Sequence, residues 1–125
     1  MTPLIFILLA VAGGVGASVR LIVDGLIRAN LKTAYPWATT IINISGSLVL
    51  GFITGLTLVR VLPTDLNIVI GTGFLGGYTT FSTASYETVQ LVKQRRYGAA
   101  LGSGVGMLIG CVAAAMLGLW LGKLT

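Results

Sequence analysis

The eight basic and three acidic side chains of this 125-residue chain are placed so that four uncharged runs remain, residues 2–19, 33–59, 66–86 and 97–122. A helix needs about 20 consecutive apolar residues to cross the hydrocarbon core of a bilayer, and each run is close to or beyond that length. A soluble bundle of this size would need a polar stripe along every helix, and none of the runs has one wide enough. The reading is an all-α membrane protein, residues 1–125 forming a single domain of four transmembrane helices. These are expected at about 3–27, 36–60, 65–92 and 97–122, with the third broken near 76–80.

The first run has no basic segment before it and continues past Arg20 toward Ile27, which makes it a membrane anchor rather than a cleaved leader. Pro3 sits at a tolerated first-turn position, and Arg20 and Asp24 stand four apart and can pair. Tyr35-Pro36-Trp37 opens the second helix with amphipathic aromatics at headgroup depth. Pro63-Thr64-Asp65 supplies a tight connection and an N-cap for the third. The fourth carries Gly98, Gly102, Gly106, Gly110, Ala114, Gly118 and Gly122 at unbroken four-residue spacing. In lipid such a stripe lets backbones approach closely, so it predicts a tight helix contact within or between subunits.

Composition removes most chemistry. The chain has no histidine, and its three acids are Asp24, Asp65 and Glu87. Triads, zinc sites and paired carboxylates have almost nothing to be built from, so an enzyme is not expected. Cys111 is the one cysteine, which leaves no intrachain disulfide and marks it as a small packing residue. The net charge of +5 comes from basic residues scattered at helix ends, without a basic helix or aromatic interleaving, and speaks for membrane topology rather than nucleic acid. Arg28, Lys32, Lys93, Arg95 and Arg96 lie on one side and Arg60 and Lys123 on the other, which places both termini outside.

The polar residues concentrate where lipid should be. Gly76-Gly77-Tyr78-Thr79-Thr80-Phe81-Ser82-Thr83 lies in the middle of the third run, and polar groups at that depth cost several kcal/mol each, on the order of a lost hydrogen bond or more, unless they meet partners or line a wet path. Unwinding at Gly76-Gly77 would free carbonyls for a cation and N–H groups for an anion. The Phe81 ring edge carries partial positive charge beside those hydroxyls, although a packed core phenylalanine is the plainer use. Asn43, with Thr39 one turn before and Ser47 one turn after, is either an interhelical hydrogen bond or part of the same path. Four helices around one polar break make a thin wall, so a dimer or larger assembly is expected.

The pattern Gly13-Gly14-Val15-Gly16-Ala17-Ser18-Val19-Arg20, Thr39 and Asn43, and Gly71-Thr72-Gly73-Phe74-Leu75-Gly76-Gly77-Tyr78-Thr79-Thr80-Phe81-Ser82-Thr83 followed by Glu87 resembles the Fluc (CrcB) fluoride channels over nearly the whole chain. The resemblance implies a plasma-membrane channel for passive fluoride export, built as an antiparallel, dual-topology dimer. It implies a structural sodium ion at the dimer centre on the backbone carbonyls of Gly76 and Thr79. It places Asn43, Phe81, Ser82 and Thr83, with Thr80 and Ser103, along the fluoride pathway. Arg20 is either an electrostatic vestibule residue or a partner of Asp24.

The chain departs from the family pattern at Ala84, where a second phenylalanine is usual, and at Met107, Cys111 and Ala115, where polar residues are frequent. Two arrangements stay open, a homodimer with a modified lining and one half of a heterodimer with a homologous subunit of opposite orientation. A non-conducting subunit is a third. A small proton-coupled exporter would need a carboxylate deep in the membrane, whereas Asp24, Asp65 and Glu87 lie near helix ends. Glu87 could line a vestibule, where its charge would repel anions, or bind a fourth-helix or loop partner such as Arg95 or Arg96, and the structural role is the one expected.

Overall fold

A computed structural model describes residues 2–31 and 36–125, so Lys32 of the charge comparison and Tyr35 of the predicted helix opening lie outside the described residues. Apolar runs without internal breakers become helices, and no strand occurs among the described residues. α1 spans Pro3–Asn30 and α2 Trp37–Leu58. α3 covers residues 64–78, with Thr64–Asn67 and Gly76–Tyr78 α-helical around a wider π-helical stretch, Ile68–Leu75. α4 is Ser82–Lys93. α5 is Tyr97–Leu124, with a π-helical stretch at Gly102–Gly106. Three of these, α1, α2 and α5, are long and apolar enough to cross a membrane.

The ends follow local rules, with one correction. The Thr2 hydroxyl accepts the Ile5 N–H at 3.2 Å and Pro3 follows it, so α1 starts where its sequence says. α3 starts at Thr64 with no side-chain cap from Pro63, so the expected N-cap is not made there. Asp65 instead sits inside the first turn, where a negative charge meets the helix dipole. α2 and α4 both close on an arginine in the left-handed region, Arg60 at φ 64° and Arg95 at φ 58°. Arg60 N–H reaches the Thr57 carbonyl and Val61 N–H the Leu56 carbonyl; Arg95 and Arg96 repeat the pattern on Val92 and Leu91. Each is a Schellman closure that satisfies two end carbonyls.

Packing is through backbone more than through side chains. α1 lies on α3 with Gly16 against the Phe74 carbonyl and Gly77 against the Gly13 carbonyl, both too close for any Cβ. α2 lies on the second half of α5 in the same way, with Gly51 on the Ala115 carbonyl and Gly118 on the Leu48 carbonyl. The predicted four-residue stripe on α5 is therefore used at its C-terminal end, whereas Gly98 and Gly106 have open space beside them. Buried apolar side chains are few, among them Ile42, Ile53, Leu75, Leu91 and Met107, and large residues such as Leu4, Phe6, Leu21, Ile22, Leu108 and Ile109 point outward. Without a hydrophobic drive between helices in lipid, close backbone approach is the available source of cohesion.

Candidate functional site

Helical hydrogen bonding runs through Gly76, Gly77 and Tyr78 and stops at Thr79, whose ψ of 161° is extended. The break thus occupies residues 79–81, not the glycine pair, because Gly77 is spent on contact with α1. Thr79 turns both its N–H and its hydroxyl onto the Leu75 carbonyl, each at 2.9 Å. The next donor in a continuing helix, Thr80 N–H, would serve the Gly76 carbonyl; it goes instead to Asn43 Oδ1 at 2.9 Å. Thr83 N–H, which would serve the Thr79 carbonyl, goes to the Thr80 hydroxyl oxygen at 3.2 Å. The helical donors of the Gly76 and Thr79 carbonyls are thus turned to other acceptors.

Asn43 organises this arrangement from α2. Its Nδ2 donates to the Thr80 carbonyl at 2.8 Å and to Met107 Sδ at 3.3 Å, while its Oδ1 accepts from Thr80 N–H. The amide acts as a splint, replacing for one residue the backbone bonds that the break removes. Gly46, one turn nearer the middle of α2, lets the Thr79 methyl group come into contact, and the Ser45 hydroxyl, which donates to the Ile42 carbonyl, sits 3.1 Å from the Tyr78 hydroxyl.

Three cavities meet around the splint. An open groove of about 460 Å³ is bordered by Asn43, Ser47, Thr72, Gly76, Thr79, Thr80, Phe81 and Cys111. A second cavity of about 390 Å³ lies on the α5 side, between Asn43, Phe81, Ala84, Thr88, Ser103, Met107 and Cys111. A third, of about 110 Å³, is enclosed by Arg20, Asp24, Thr39, Ile42, Thr80 and Thr83. The candidate residues are thus brought to one region but divided among its compartments, and Ser82 borders none of these three. Phe81 is 86% exposed, so it is not a core residue of this subunit.

Ser103 is buried, and its hydroxyl lies 2.9 Å from Thr88 Oγ1. Thr88 spends its own hydrogen on the Ala84 carbonyl at 2.8 Å, so Ser103 is the donor in that pair and its single hydrogen is occupied. Neither Thr88 nor Met107 was singled out as a partner in the sequence; Thr88 lies two turns past the break, at the helical spacing that would have pointed to it.

The charged residues are wired differently from expectation. Asp24 pairs with Arg28 at 2.6 Å rather than with Arg20. An acid four residues before a base is the better helical order, and Arg28 is also nearer the positive-favouring C-terminus. Glu87 pairs with Arg28 Nη2 at 3.0 Å, not with Arg95 or Arg96, and accepts a hydrogen bond from the Thr39 hydroxyl. One carboxylate thereby ties α4 to α1 and α2, a structural role as expected with a different partner. Arg20 Nε, in contrast, is buried with no hydrogen-bond partner among the described residues. Glu87→Gln is expected to destabilise the subunit by about 1–2 kcal/mol, read as a lowered midpoint of thermal unfolding in detergent, since the Arg28 pair is lost while Thr39 keeps an acceptor.

Comparison with known proteins bears on this geometry directly. The family model for CrcB-like protein, Camphor Resistance (CrcB), matches residues 7–119. The chain is 54% identical over 124 residues to Fluoride-specific ion channel FluC 1 of Leifsonia xyli subsp. xyli, covering 99% of this chain and 90% of the relative. It is 38% identical over 124 residues to Fluoride-specific ion channel FluC 2 of Mycobacterium tuberculosis, covering 99% and 95%, and 41% identical over 115 residues to Fluoride-specific ion channel FluC 1 of Ligilactobacillus salivarius, covering 92% and 96%. These relatives are named as channels rather than enzymes, and their match extends across every helix that builds the break. A chain with this apolar, glycine-packed, multi-pass architecture and this extent of similarity belongs to the CrcB family of membrane ion channels.

Proposed function

We infer that this chain is a subunit of a fluoride-selective passive channel, with residues 64–93 as a fourth, broken crossing of a single four-helix transmembrane domain. The observation that carries the reading is the splinted break: Asn43 holds Thr80 on both its N–H and its carbonyl in the middle of an otherwise apolar segment. Relatives named as fluoride-specific channels supply the ion.

A lone copy would turn the exposed Phe81, the groove and the carbonyls whose helical donors are diverted toward lipid, which is unfavourable at that depth. The working unit is a dimer of subunits in opposite orientations that covers them. The carbonyls of Gly76 and Thr79 are hard, neutral oxygen donors whose helical donors are diverted, and no side chain lies within 4 Å of a Cβ built at Gly76. That donor set fits a monovalent cation such as sodium, which when bound would supply positive charge at the centre of the assembly. The ion would be structural, holding two breaks together.

Fluoride is small and strongly hydrated, so its path must offer close donors in place of water while remaining narrow. Asn43, Thr80, Phe81, Thr83 and Ser103 border the cavities from which such a path would be assembled, and Ser82 would join it only through the partner subunit. Arg20 Nε, without a hydrogen-bond partner among the described residues, faces the smallest of these cavities beside Thr39, Thr80 and Thr83, and the Asp24 carboxylate that also borders it is paired with Arg28, which supports the vestibule reading over the Asp24 pair. A potential negative inside drives an anion outward by about 2.3 kcal/mol per 100 mV, so export needs no coupled energy source.

The second reading is a heterodimer. The α5 face below Ser103 continues as Met107 and Cys111, an apolar part of the cavity lining that a homologous partner would complement. The experiment that tests both is fluoride efflux from liposomes holding this chain, with chloride as the control anion. Fast fluoride-selective release from the chain alone establishes the homodimer. Release only after co-reconstitution with a second family member establishes the heterodimer, and no release in either case from folded protein overturns the channel reading.

A further inference from the structure

The Asn43 amide has two N–H bonds, and their fates differ. One is held by the Thr80 carbonyl at 2.8 Å as part of the splint, so releasing it would also loosen the break. The other ends on Met107 Sδ at 3.3 Å, on the side of the 390 Å³ cavity that both residues border. A thioether is a weak acceptor and a poor match for an amide hydrogen, yet Met107 is only 5% exposed and is held at that position by its neighbours. The π-helical stretch Gly102–Gly106 immediately before it widens the turn and keeps Ser103 and Met107 on the inward face together. Ser103 has no hydrogen to spare, because it is committed to Thr88. Together with the Ser85 hydroxyl, which also borders this cavity, the cavity-side N–H of Asn43 is a donor that an arriving anion can take, and taking it means displacing the sulfur.

Resting on the channel reading above, we propose that Met107 is a specificity-determining positioning residue: its sulfur is a weak resident acceptor that keeps the Asn43 amide oriented toward the cavity and sets how tightly an anion must bind to claim that N–H. An acceptor weaker than fluoride but stronger than nothing keeps the donor aimed between ions without trapping it. Replacing sulfur by carbon removes the competitor, and replacing it by an amide oxygen strengthens it, so the two changes act in opposite directions on fluoride binding. A purely space-filling role would not separate them by sign, since leucine and glutamine both approximate the volume of methionine.

The test uses full-length protein with 15N-labelled asparagine, titrated with sodium fluoride in detergent while the side-chain amide signals of Asn30, Asn43 and Asn67 are followed by NMR. The expected result is a fluoride-dependent shift of the Asn43 amide whose midpoint falls about threefold to tenfold in Met107→Leu and rises by a similar factor in Met107→Gln. Unchanged midpoints, or midpoints that move in the same direction in both variants, overturn the role of Met107. Met107→Leu decides alone if the glutamine variant does not fold: a midpoint equal to or above that of the parent protein overturns the proposal. Liposome efflux of the unsubstituted protein, with its partner subunit if one is needed, separates the two levels. Absence of any fluoride flux removes the channel reading, whereas intact flux with Leu-insensitive Asn43 binding removes only the part assigned to Met107.

Discussion

Asn43→Ala is expected to abolish fluoride efflux and at the same time loosen the break on which the site depends. The substitution removes the bonds to the Thr80 carbonyl, to Met107 Sδ and from Thr80 N–H, and it leaves both backbone groups of Thr80 in want of a partner. An unmet backbone group away from water costs about 1–3 kcal/mol, so the subunit should lose about 2–4 kcal/mol of stability. Liposome flux and thermal unfolding in detergent, measured on the same preparation, check both halves. Asn43→Asp separates them, since a carboxylate keeps the acceptor for Thr80 N–H but has no hydrogen for the Thr80 carbonyl or for an anion. It should therefore retain more stability than the alanine variant while conducting no fluoride. An alanine variant that conducts normally would show that the splint is neither the pathway nor its support.

Gly77→Ala carries the largest expected effect on folding. A Cβ at that position would collide with the Gly13 carbonyl oxygen and come within 2.9 Å of its carbon and 3.1 Å of Ala17 N, all backbone atoms that cannot swing aside. α1 and α3 would have to separate along their length, and Gly16 against the Phe74 carbonyl would lose its contact with them. A cost of about 3–5 kcal/mol follows, in the range where core overpacking removes most of a small domain's stability. Size-exclusion chromatography of detergent-extracted protein should show aggregated or absent material. Gly14→Ala, on α1 beside Gly13, is the control: nothing lies within 4 Å of a Cβ there, and its stability should remain within about 1 kcal/mol of the parent. Equal behaviour of the two variants would mean that the α1–α3 contact does not hold the subunit together.

These two glycines show why part of the site was legible in the residues and part was not. Gly76-Gly77 beside a hydroxyl cluster announced a break, and a break exists within two residues of it. Its position moved because a glycine pair has two uses in a membrane, to unwind a helix or to admit another backbone, and only the proximity of Gly13 decides between them. Asn43 was visible as an expensive polar group in an apolar run, yet its partner Thr80 lies 37 residues away and no periodicity links them. Arg20 and Arg28 are equally spaced from Asp24, and local preference favours Arg28; the presence of Glu87 beside it comes from the approach of α4. The α5 stripe was read as one contact, whereas α2 meets it backbone to backbone at Gly118 and Gly122 and through the Ile44 side chain at Gly110, while Gly98 and Gly106 have open space beside them.

The sequence by itself determined that this chain lives in a membrane, that its segments are helical, and that its third apolar run is interrupted by groups lipid will not tolerate. Those properties follow from hydropathy and local backbone preference, which act over one or two turns. The tertiary structure alone decided which carbonyls lose their donors, which N–H faces the cavity and that Arg20 Nε is buried without a hydrogen-bond partner among the described residues. Such choices depend on how far helices rotate and how closely they cross, and here that is set by backbone contacts at glycines distant in the chain.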